Sequence, residues 1–350
     1  MDVPIDPSAL RPHYSRFLRE GRILLTGHSH QAWPDVAREG GLEAFDDAAE
    51  HVGDKWGAAM EAAGAIRRYV ADTVGAAPDE IALGQNTHEL VARWLSALDL
   101  GTRPHVVTTD GEFHSLHRQL ARLEEEGLAV SWVAIEPLGT LTERIAAAIG
   151  GRTAGVAFST VLFETSALVP NVDVAIEAAR AVGAEVLLDA NHAFGVVPFD
   201  LSGWPDVFAT AGGYKYAQWG EGCCWLRVPA ASRLRPIHTG WFSDFGHLAA
   251  TRGAHIGYGS TPWERFAGAT YDPTSHYRAR RVIHFFGEQN LTIDRLRDHS
   301  LRQTQRIIDR LEGFAVRTPE ARGGFVTVER QDAPRVVAEL RERGVHVDAR

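Results

Sequence analysis

Cysteine is almost missing from this 350-residue sequence, and the two that occur, Cys223 and Cys224, are neighbours. Adjacent residues reach disulfide geometry only under strain, and nothing around them has the spacing of a metal site. A disulfide scaffold and a zinc module are therefore both excluded, and a reducing compartment fits. Basic residues are in deficit: 36 Lys and Arg stand against 45 Asp and Glu, for a net charge of -9. That is the wrong sign for a surface that binds nucleic acid or anionic membrane, so a small-molecule partner is expected. Long apolar runs are absent too, and nothing approaches the ~20 residues of a membrane helix. The opening MDVPIDPSALRPHY places acids and prolines where a secretory signal has a basic start and an apolar stretch, so the expected location is the cytoplasm. No fixed-period repeat, low-complexity tract or linker rich in Ser, Pro and Gly occurs, which predicts interleaved rather than tethered domains.

What is present is an ordinary globular composition, with 45% hydrophobic and 23% charged residues. The length suits one large and one small domain at roughly 150 residues per domain. Short apolar, β-rich runs at 81–83, 105–109, 130–135, 155–159 and 186–188 alternate with amphipathic stretches at 89–98, 115–126, 141–149 and 174–182. This rhythm predicts an α/β fold with a mostly parallel central sheet and helices on both faces. Further strands are expected at 207–211 and 223–228, long helices at 276–289 and 293–312, and a weaker αβ tail to Arg350. The large domain is placed at 45–262. A smaller α+β domain is built from both chain ends, 1–44 and 263–350.

In an open parallel sheet, ligands bind beyond the carboxyl ends of the strands. After the run at 81–83 come Gly84, Gln85, Asn86, Thr87, His88 and Glu89, where Asn86 can cap a helix and Glu89 falls at capping-box spacing. The exposed amides of such a helix start suit a phosphate, although by itself the pattern is more often a plain N-cap. After the run at 186–188 come Asp189, Ala190, Asn191 and His192, and a later Gly-Gly-Tyr-Lys-Tyr turn presents Lys215, one of few lysines in the chain. A strand-end carboxylate that pairs with a pyridinium nitrogen and a lysine that forms a Schiff base are the two parts a pyridoxal 5'-phosphate enzyme needs. Taken alone, the same residues could be a helix-capping Asp and a solvated turn lysine.

The stretches LLDANHAFGVVPFDLSGWPDVFATAGGYKY, WGEGCCWLRV and HTGWFSDF, with LLTGHSHQAWP, IALGQNTHELV and GEFHSLH before them, resemble the kynureninase branch of the fold type I pyridoxal phosphate enzymes, relatives of class V aminotransferases. The likeness runs through most of residues 22–290. The resemblance implies that Lys215 carries the cofactor, Asp189 pairs with its ring nitrogen, His192 lies beside it and Tyr214 near its phosphate. Phe113 would stack on the ring, and Asn86 and Thr87 would form the phosphate turn. Trp241 would reach the phosphate from a second subunit, which implies a homodimer with its site at the interface. Ser29 and His51 resemble positions on the substrate side.

The sequence departs from that pattern in several places. Glu164 stands where the family carries a tyrosine near the phosphate, and a carboxylate there would be repelled unless protonated or turned away. Asp272 replaces an asparagine that recognises the aryl part of the substrate, and Leu116 replaces an acid. The family's carboxylate-clamping arginine would fall beyond Arg350, so either the sequence is short or another guanidinium serves, with Arg278, Arg280 and Arg281 nearby. The expected activity is hydrolytic Cβ–Cγ cleavage of kynurenine or a related γ-keto amino acid to alanine and an aryl or acyl acid. The alternatives are an aminotransferase or lyase of the same fold and, less favoured, a non-catalytic binding protein. A metal site at His28, His30, His114 and His117 lacks a completing acid or cysteine. The glycine pairs lack a dinucleotide fingerprint, and a desulfurase thiol is not expected from cysteines inside an apolar run.

Overall fold

Seven of the strands in the computed structural model, which describes residues 4–249, 253 and 255–349, form one sheet. A short strand β1 (Ile23–Leu24) lies outside it. The sheet contains β2 (Ile81–Gly84), β3 (His105–Thr109), β4 (Ala129–Val133), β5 (Thr153–Ser159), β6 (Glu185–Asp189), β7 (Phe208–Gly212) and β8 (Cys224–Arg227), in the spatial order β2-β8-β7-β6-β5-β3-β4. Only β8 runs against the rest. A last strand, β9 (Val345–His346), pairs in parallel with β1 and so brings the two chain ends together.

The helices are α1 (Pro7–Leu10), α2 (Val36–His51), α3 (Trp56–Val74), α4 (Thr87–Ala97), α5 (His114–Glu125), α6 (Leu141–Ala148), α7 (Val172–Ala181), α8 (Pro262–Arg265), α9 (Thr274–Glu288), α10 (Ile293–Arg310) and α11 (Ala333–Glu342). Each residue of β5 is buried, as expected for a parallel strand covered on both faces. Consecutive strand residues point to opposite faces. Accordingly Val107 and Leu188 join one apolar cluster with Ile66 and Val70 of α3, while Val106 and Leu187 join another with Leu90 and Trp94 of α4. Helix α9 packs on α2 and α3 and sends Val282, Phe285 and Phe286 into the first cluster.

Two features of this topology position a site. The carboxyl ends of the parallel strands share one edge, with Ser159 opposite Asp189 and Asp189 opposite Thr210. The chain also leaves β3 for the outer strand β4, then returns to lay β5 on the other side of β3. This reversal of strand order opens a crevice above β3 and β5.

The opposite end of the sheet is fastened by a buried ion pair. Arg227 at the end of β8 donates to Glu80 at 2.9 Å, and the same carboxylate accepts the N–H groups of Ala230 at 2.9 Å and Ala77 at 2.8 Å. Replacing Glu80 by alanine strands the guanidinium and two amides, so we expect a loss of about 3–5 kcal/mol, read as a lower urea midpoint.

Candidate active site

Lys215 follows β7 on a turn that only glycine permits. A Cβ at Gly213 would lie 2.1 Å from the Trp219 ring, and the Gly213 N–H donates to the Cys223 carbonyl at 2.9 Å. The turn carries Lys215 inward, leaving it 5% exposed, with its Nζ 3.1 Å from His192 Nε2 and 5.6 Å from the centre of the Phe113 ring. His192 is buried, and its ring packs against Phe325 with the centroids 5.2 Å apart and the planes tilted by 50°.

Asp189 ends β6. Asn191 donates both its backbone N–H and its side-chain amide to Oδ1 of Asp189, each at 2.8 Å. Among the described residues no donor reaches Oδ2. Asn191 also accepts the Gly212 N–H at 2.9 Å, locking the Asp189 turn to the Lys215 turn. Burial raises the Asp189 pKa from the usual carboxylate value, while the two Asn191 bonds and the Lys215 charge work against that rise. A deep carboxylate with one oxygen held and one oxygen lacking a donor is suited to a protonated ring nitrogen.

At the start of α4, Asn86 accepts the Glu89 N–H at 2.8 Å and so fixes the helix end. Thr87 opens the helix, and the Tyr214 hydroxyl, whose pKa is raised by burial and neighbouring negative charge, lines the same pocket. First-turn amides, the helix dipole and these hydroxyls together favour a phosphate dianion.

Thr87, Phe113, Asp189, His192, Tyr214 and Lys215, each predicted from sequence, line one pocket at this edge. Pyridoxal phosphate presents an aldehyde, a phosphate, a flat ring and a basic ring nitrogen. The pocket holds a counterpart to each, so its residues fit the group.

Six predicted residues stand outside that lining, the first of them Asn86, which caps the adjoining helix α4. Glu164 is exposed beside buried Phe163. His51 is the exposed last residue of α2. Asp272 accepts the Thr274 N–H at 2.9 Å and so steadies the start of α9. Trp241, 39% exposed, donates to the Thr270 hydroxyl at 3.1 Å and stacks on Phe242. Ser29 bonds the Thr26 carbonyl and the Asp348 carboxylate, which also meets His28 at 3.2 Å. Conversely, the lining includes His88, Ser115, Ser159, Asn191 and Phe163, which are not among the residues predicted from sequence. Asn191 was detectable, because an Asn two places after a strand-end Asp is placed to satisfy its carboxylate. No cluster of His, Cys, Asp or Glu suited to a metal occurs among the described residues.

A model of the family described as aminotransferase class-V matches residues 47–349. The chain is 28% identical over 194 residues to a mitochondrial cysteine desulfurase of Arthroderma benhamiae, covering 53% of this chain but only 38% of that protein. It is 26% identical over 316 residues to a kynureninase of Geobacillus thermodenitrificans, covering 81% of this chain and 70% of that one. Among solved structures, its fold is similar to a variant of C-DES with glycine covalently linked to the PLP cofactor. The TM-score there is 0.83 at 17% identity, over 97% of this chain and 91% of that one.

Proposed function

The chain belongs to the aminotransferase class-V family, and from that premise we propose that it is a pyridoxal phosphate enzyme acting as a kynureninase-like hydrolase on an amino acid with a ketone at Cγ. When bound, the cofactor supplies an aldehyde for the substrate amine and an electron sink for charge at Cα. Asp189 would hold a proton on the ring nitrogen. Lys215 moves the proton at Cα, and His192, at 3.1 Å, is placed to exchange protons with it. Asn86, Thr87 and Tyr214 would hold the phosphate, and Phe113 would cover the ring. The net reaction consumes one water, breaks Cβ–Cγ and yields an acyl carboxylate and alanine.

The observation that carries the reading is the convergence of Lys215, His192 and Asp189 in one pocket walled by Phe113 and Phe163, an aromatic wall suited to an aryl ketone. In further support, of the two relatives named above, the kynureninase is matched over the larger share of this chain. Both cysteines are buried, with thiol pKa values raised by desolvation, which is unfavourable to a sulfur-carrying role for either. We also propose a homodimer, in which the exposed rings of Trp241 and Phe245 meet a second subunit.

Mass spectrometry of products after feeding kynurenine and 3-hydroxykynurenine tests the reading. We expect alanine and the corresponding aryl acid in equal amounts. Amino-group transfer to an added α-keto acid would contradict it in favour of an aminotransferase. Sulfide released from cysteine would contradict it in favour of a lyase or desulfurase.

A further inference from the structure

Glu112 lies where the strand order reverses. Thr109, the last residue of β3, donates its hydroxyl to Oε1 of Glu112 at 2.6 Å. Across the crevice Ser159, the last residue of β5, donates its N–H to Oε1 at 3.1 Å and its hydroxyl to Oε2 at 2.6 Å. The side chain is 3% exposed, and no ion pair reaches it among the described residues. One carboxyl thus ties two strand ends together. It directly precedes Phe113, and the serine it holds is the register partner of Asp189.

A buried acid without a cation is costly, and hydroxyl groups alone could have bridged the two strands. We propose that Glu112 is a positioning residue for the cofactor ring, fixing the Phe113 face against the Asp189 edge and placing a second negative charge behind Asp189. The charged group that faces it is Asp189 on β6. From β3 and β5 it meets hydroxyl and amide groups, and its chain neighbours Asp110 and His114 are exposed. Burial, with Asp189 adding to it, pushes its pKa up to about 7 against the opposing pull of its hydrogen bonds. Its charge therefore grows as pH rises through neutrality, and each increment raises the proton affinity of the adjacent cofactor groups.

This rests on the pyridoxal phosphate reading and not on the hydrolytic outcome. Wild type, Glu112→Gln and Glu112→Ala are loaded with pyridoxal phosphate. Cofactor affinity, the pH midpoint of the visible absorption band and the melting point of the unloaded protein are then measured. Glutamine can keep all three hydrogen bonds, accepting two at its oxygen and donating one to the Ser159 hydroxyl. We expect E112Q to melt as wild type and bind the cofactor within about threefold, with the absorption midpoint about 0.5 pH unit lower because a negative charge is gone. E112A should bind the cofactor about tenfold more weakly. Should E112A fail to fold, the midpoint of E112Q decides alone. An unmoved midpoint in E112Q, or an E112A that loses melting temperature at unchanged cofactor affinity, overturns the role of Glu112. Wild-type protein that takes up no cofactor overturns the cofactor reading with it.

Discussion

Replacing Lys215 by alanine is expected to lower turnover on the order of 10³-fold while the protein still binds pyridoxal phosphate through its phosphate seat. Two roles are lost at once, since the amine both tethers the aldehyde and moves the Cα proton. The fold should survive, because the turn is held by the close approach of Gly213 to Trp219 and by the Gly212 amide on Asn191, not by the lysine side chain. Lys215→Arg separates charge from chemistry. It restores a cation beside His192 and Phe113 but supplies no amine able to condense with an aldehyde. Turnover should stay as low as in the alanine variant while the melting point returns to wild type. Recovery of activity in the arginine variant would show that the lysine acts only as a positive charge.

Replacing Asp189 by asparagine is expected to cost on the order of 10²-fold or more in turnover, with a smaller loss in cofactor affinity. The substitution keeps an oxygen for the two Asn191 donors but removes the anion that would hold the ring nitrogen protonated. A neutral ring withdraws electrons poorly, so the loss should fall on kcat rather than KM. The absorption band of the bound cofactor should move as well. Asp189→Ala removes the Asn191 partner too, and should add a stability loss that Asp189→Asn does not show. Equal activity in D189N and wild type would place the proton on the ring nitrogen by some other means.

Much of this architecture could be read from residue patterns. The seven apolar runs from 81 to 228 are the strands of the sheet, and the predicted helices at 276–289 and 293–312 are α9 and α10 within two residues at either end. The signal was strong because a doubly covered parallel strand needs continuous apolar residues, as in β5, and the covering helices need one apolar face. The order of strands was not legible, and with it went Glu112 and Ser159. They become neighbours only because β5 returns beside β3, a pairing that leaves no mark in either local pattern. The two-residue strands β1 and β9 were likewise too short to show a period.

Within the site, Asp189, His192, Lys215, Thr87, Phe113 and Tyr214 converge because each follows a strand end or opens a helix on the same edge. Other residues that the resemblance singles out stand outside this lining. Asp272 uses its carboxylate on Thr274, Glu164 and His51 are exposed, and Ser29 is engaged with Asp348. Trp241 is exposed on its own chain, and its proposed role calls for a second copy.

One particular amine, that of Lys215, is expected to hold the aldehyde of pyridoxal phosphate. The only other lysine in the sequence is Lys55, so an adduct is readily assigned. The protein is incubated with the cofactor, reduced with borohydride, digested and mapped by mass spectrometry. A single reduced adduct on the peptide containing Lys215, with none on that containing Lys55, is the predicted result. An adduct confined to Lys55, or none at all after incubation, would contradict the account.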